Sequence, residues 1–120
     1  MKKKYKTRYV YTVPIYNQTI ILLLCDWDKL PPDIRGEEGK TIGFCIRGEH
    51  PDGRKPLVIW VKDFEWTSDK IAILVHELSH ATDEIAEWIG MKMDTEARAY
   101  LLEDLVRYFV SKIIVDIKKK

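Results

Sequence analysis

Two histidines stand four residues apart in the stretch HELSH, residues 76–80, and Glu77 directly follows the first. On an α-helix, residues i and i+4 carry neighbouring side chains. His76 and His80 can therefore bind one metal ion from one side. A glutamate beside such a pair can hold a water at the metal and take its proton. The pattern is short and also arises by chance on ordinary helices. The elements around it must show whether these residues are placed for chemistry.

The flanking residues read as one helix. Thr67 or Ser68 can cap its start, and Asp69 suits the positive end of the helix dipole. Gly90 is a natural stop. At about 100° per residue, Ile71, Leu74, Val75, Leu78, Thr82, Ile85 and Ile89 form one apolar stripe, the expected core face. His76 and His80 fall roughly opposite it, with Ile73, Asp83 and Glu87. Glu77 points to one flank of that histidine face. The apolar run of residues 71–75 suggests a helix covered on both faces.

A catalytic zinc takes three protein ligands and keeps one position for water. His50, the remaining histidine, lies among Pro51, Asp52 and Gly53 and reads as an exposed turn residue. Asp83 is too far along the axis from His76 to share its metal, but it can hydrogen-bond the second nitrogen of His80 from outside. Glu96 is the better third ligand. It sits in the first turn of a second helix, at the flank of a core stripe of Leu102, Leu105, Val106, Phe109 and Ile113. A plain first-turn glutamate has the same sequence signature. Asp94 is the fallback ligand and is better explained as that helix's cap.

The elements that must hold these residues divide the chain. Residues 9–13 alternate as a strand, and Pro14 demotes it to an edge or a bend. Asn17 and Gln18 suit a turn, and residues 19–25 are an apolar run of strand length. Residues 26–40 read as a surface loop with room for a helical turn. Residues 41–47 and 57–62 flank turn chemistry and predict a β-hairpin. The second helix is expected from Asp94 or Thr95 to about Ile117, lying antiparallel to the first because the connection is short. The fold class is α+β: a small, mostly antiparallel N-terminal sheet followed by two long helices, in one domain over residues 1–120.

Composition sets outer bounds. The chain is 46% hydrophobic and 32% charged, which fits a globular domain with a real core. Net charge is +1, with lysine runs at residues 2–4 and 118–120 that read as solvated, frayed ends. Neither a continuous apolar leader segment nor a membrane span is read, so a cytoplasmic location is expected. Cys25 and Cys45 are not spaced as a CxxC pair and read as buried free thiols.

The stretch HELSHATDEIAEWIGMKMDTEARAYLLEDL resembles the zincin-like metallopeptidases of the gluzincin type, which carry HExxH on one helix and a glutamate on the next. It is similar in particular to small HExxH proteins of phages and prophages and, more distantly, to ImmA/IrrE-type peptidases. Glu96-Ala97-Arg98-Ala99-Tyr100 fits the outline of the latter's second helix. The resemblance covers about the last 60 residues. It implies that His76, His80 and Glu96 hold one Zn²⁺ per chain, that Glu77 is general base and acid, and that a protein or peptide is the substrate. It also implies a sheet edge strand bordering the cleft, for which residues 57–61 are the candidate. The chain departs from larger gluzincins at Tyr100, where many have an aspartate. Tyr100 then has either a supporting or oxyanion role or a packing role, with packing favoured.

Three functions compete on the sequence. One is a zinc metallopeptidase, in which water attacks a carbonyl while Glu77 takes its proton. Another is a zinc-binding or protein-interaction module of the same fold without catalysis. The last is a metal-free adaptor whose lysine tails touch nucleic acid, which the aromatic pattern does not favour.

Overall fold

The computed structural model describes residues 5–14, 16–32, 34, 42–48, 55–90 and 95–119. The expected turn around His50, the tip of the loop before β3, and Asp94 lie outside these residues. Along the chain come β1 (Arg8–Val13), β2 (Gln18–Leu23), a 3-10 turn (Trp27–Lys29), β3 (Gly43–Arg47), β4 (Leu57–Val61), α1 (Ser68–Ile89) and α2 (Thr95–Lys118). The order matches the expected α+β division, a small sheet followed by two long helices.

The four strands form one sheet in the order β1-β2-β4-β3. β1 and β2 pair antiparallel from Arg8 opposite Leu23 to Val13 opposite Gln18. Pro14 ends β1, and Asn17 closes the turn with a left-handed φ of 51° that asparagine tolerates. β3 and β4 form the expected antiparallel pair, Gly43 opposite Val61 and Arg47 opposite Leu57. The central seam is parallel, with Ile20 opposite Leu57 and Leu23 opposite Trp60. Two of the three seams are thus antiparallel.

This order corrects the expectation that residues 57–61 form the edge. All five residues of β4 are buried between β2 and β3, and β3 is the edge strand on that side. The run Leu-Val-Ile-Trp-Val is continuous because both faces of the strand are covered, as in parallel sheets. Leu57, Ile59 and Val61 join the core beneath the helices. Trp60 points to the other face, where its ring meets Phe44 and its Nε1 donates to the Cys25 carbonyl at 2.8 Å.

The helices take their limits from local chemistry. The Thr67 side chain accepts from the Lys70 amide at the start of α1, and Gly90 ends it in the left-handed region at φ 81°. Packing fixes its orientation. Burying Leu74, Leu78 and Ile85 contributes about 1.5–3 kcal/mol each, against propensity differences under about 1 kcal/mol per residue. α2 buries Leu101, Leu105, Phe109 and Ile113. It is tied to β1 by tyrosines: Tyr9 donates to Asp116 at 2.7 Å, Tyr11 donates to Asp104 at 2.7 Å, and Tyr11 stacks on Tyr108. Among the described residues no helix is long and apolar enough to cross a membrane.

Candidate metal centre

His76 and His80 are both exposed, off the buried stripe, as the helical spacing predicts. Their Nε2 atoms stand 3.2 Å apart, with ring centroids 4.7 Å apart and the planes at 86°. Two nitrogens bound at 2.0–2.1 Å to one tetrahedral zinc lie about 3.3 Å from each other. The pair therefore has the spacing of two corners of such a site. At the same distance one ring N–H can donate to the other nitrogen, so the pair holds its own orientation. The expectation that both faces of α1 are covered does not hold, because the histidine face is open.

Glu77 lies elsewhere than the helical wheel placed it. It is 6% exposed and belongs to the buried stripe with Leu74, Leu78 and Ala81. The reason is tertiary: α1 packs across β3 and β4, and the edge strand passes over this part of the helix. A Cβ at Gly43 would stand 3.3 Å from Glu77 Oε2. Burial raises the Glu77 carboxyl above its ordinary value, and the neighbouring His76 and His80 act in the opposite direction. A carboxyl whose charged form is disfavoured by burial accepts a proton readily, as a general base requires.

β3 brings further groups that the sequence reading did not connect to the motif. Gly43, Cys45 and Arg47 alternate onto the face of β3 that meets α1. Cys45 is a half-buried free thiol, so the expected free state stands while the full burial does not. Its pKa is pushed up to about 12, first by burial and then by Glu77 and Glu84, so it stays a thiol in the metal-free chain. Arg47 lies 3.9 Å from Glu84 and over the Trp88 ring. A glycine inside a strand pattern was the available signal, since it marks a close approach.

The remaining candidates are not gathered with the histidines. Glu96 is exposed on the first turn of α2. Nine residues before Leu105, it lies about 180° round the helix from that core position, so the expected place at the flank of the stripe is not found. Arg98 faces α1 instead and pairs with Asp83. Asp83 is thereby engaged across the helix interface and, among the described residues, makes no hydrogen bond to His80. Tyr100 is 66% exposed, which removes the favoured packing role. Among the described residues no three His, Cys, Asp or Glu side chains are close enough together to hold one metal ion. Set beside known proteins, the chain matches no family model, no curated protein and no solved structure.

Proposed function

We propose that the chain is a zinc-dependent metallopeptidase acting on proteins or peptides in the cytoplasm. The observation that carries the reading is the pairing of two imidazole nitrogens 3.2 Å apart with a buried carboxyl on the adjacent residue. His76 and His80 would hold the ion. Glu96 is the proposed third ligand on the resemblance alone, since the Arg98–Asp83 pair turns Arg98 rather than Glu96 toward α1. When bound, zinc supplies Lewis-acid polarisation of water and of a substrate carbonyl. With the ion bound, Glu77 would take a proton from water and pass it to the leaving amine, a role that its raised proton affinity suits.

The test begins with metal content. Zinc per chain is measured by plasma mass spectrometry on untagged protein, beside His80→Ala and Glu96→Ala. The expected result is near-stoichiometric zinc, lost in both variants, and cleavage of labelled casein that Glu77→Gln abolishes. Full activity in Glu77→Gln would overturn the mechanism.

The exposed position of Glu96 favours a second reading, a zinc-binding or protein-interaction module without catalysis. In that case zinc is retained in Glu96→Ala and casein is not cut by any form of the protein.

A further inference from the structure

Glu77 is buried where β3 passes over α1. At Gly43 the strand comes so close that an added Cβ would stand 3.3 Å from Glu77 Oε2, 3.2 Å from Ile73 Cγ2 and 3.0 Å from the Trp60 carbonyl oxygen. These two side chains sit four residues apart on α1, so one methyl group would press on the helix at both places. Gly48, at the other end of β3, would meet Val58 Cγ2 at 3.2 Å and the Pro56 carbonyl at 3.6 Å, and neither belongs to α1. Both positions are tight, but only Gly43 is tight against the reactive carboxyl.

We infer that Gly43 is a positioning residue for Glu77: the edge strand passes this close to the carboxylate because it carries no side chain there. The φ at Gly43 is not in the left-handed region, so backbone freedom does not explain the glycine. The close approach does. A side chain there would press on the carboxylate and shift it from its place. A displacement of about 1 Å at a reacting group is enough to cost on the order of 100-fold in rate. This role in turnover rests on the reading of Glu77 as general base; the steric relationship does not.

Two experiments separate these. The first is a stability cycle on the metal-free full chain, combining Gly43→Ala with Glu77→Ala and using Gly48→Ala as the control. Gly43→Ala should lower Tm by about 5 °C in the natural background and by about 2 °C less than that once Glu77 is Ala, because the contacts with Trp60 and Ile73 remain in both. Gly48→Ala should cost the same in both backgrounds. A Gly43→Ala chain that folds only when Glu77 is Ala gives the same answer more strongly. Equal penalties in both backgrounds, or failure to fold in both, would mean that the methyl is felt by Trp60 and Ile73 and not by Glu77, and the inference falls.

The second is turnover of labelled casein by zinc-loaded protein. Gly43→Ala should keep its zinc and its KM and lose at least about ten-fold in kcat, with part of the loss recovered in Gly43→Ala/Glu77→Asp, whose shorter acid leaves room for the methyl. Unchanged kcat would overturn the positioning role in turnover. If the natural chain binds zinc and does not cut casein, the peptidase reading fails while the stability cycle still decides the role of Gly43.

Discussion

Asp83, three residues beyond His80 on α1, forms an ion pair with Arg98 in the first turns of α2. Both side chains are partly exposed, so the pair itself contributes about 0–1 kcal/mol. Its effect is positional, because it fixes where α2 begins relative to the histidines. Arg98→Ala should therefore cost under about 1 kcal/mol of stability. If Glu96 completes the metal site, the same change should weaken zinc binding about ten-fold. Competition with a chromophoric chelator measures this, and unchanged affinity would separate the start of α2 from the site.

Glu77 makes the metal-free fold sensitive to pH. Its carboxyl is raised by burial, so its contribution to stability is fully present below the unfolded value near 4.5 and is lost as pH rises through the folded value. Glu77→Gln, which cannot ionise, should be more stable than the natural chain at pH 7, by about 1–3 kcal/mol. The gap should close as the pH falls toward 4. Denaturant melts in the presence of a chelator, run at several pH values, give both numbers. A constant gap would mean that the carboxyl is solvated in the folded chain.

The opposite sign is expected where α2 meets β1. Asp116 is lowered by the hydrogen bond from Tyr9 and further by Lys119, with burial opposing. Such a group stabilises above its unfolded value near 3.8, and the contribution is lost as pH falls through the folded value. Tyr9→Phe should lower Tm by about 5 °C at neutral pH, and the difference should narrow below pH 4. Thermal melts of the two proteins across that range check the sign. A difference that widens in acid would rule out the Tyr9–Asp116 bond as its cause.

Leu78 sits inside the HELSH motif but serves the core, with no exposed surface. Leu78→Ala should cost about 2–5 kcal/mol by denaturant unfolding, while a zinc-loaded sample recovers part of the loss through metal binding. If zinc restores nothing, His76 and His80 do not hold the ion in the folded state.

Much of this architecture was legible because local signals agreed. Thr67, Gly90 and the apolar period placed α1 within a residue at each end, and the β-rich run at residues 57–61 marked β4. The histidines were correctly placed off the core because their angle on the helix is a local property. What escaped the sequence is what depends on distant partners. The parallel seam between β2 and β4 has no local signature, so the order of the strands, and with it the identity of the edge, could not be read. Glu77 was placed at a flank because nothing on α1 itself announces that β3 crosses it. The first turn of α2 was read from a stripe starting at Leu102. The buried row begins at Leu101 instead, and the row extrapolated to the first turn favours Arg98 over Glu96.

The strand order also has a consequence for biosynthesis. β1 and β2 can pair as soon as they leave the ribosome, but the free side of β2 must wait for β4, and β3 is made in between. At about 5–20 residues per second this leaves the unpaired backbone edge of β2 bare for on the order of seconds. The inner face of the hairpin stays bare longer still, until α2 supplies Phe109 and Ile113. The nascent chain therefore carries an open strand edge until β4 is made and a bare apolar face until α2 follows, and the helix that bears HELSH is complete before the layer that closes the core has emerged.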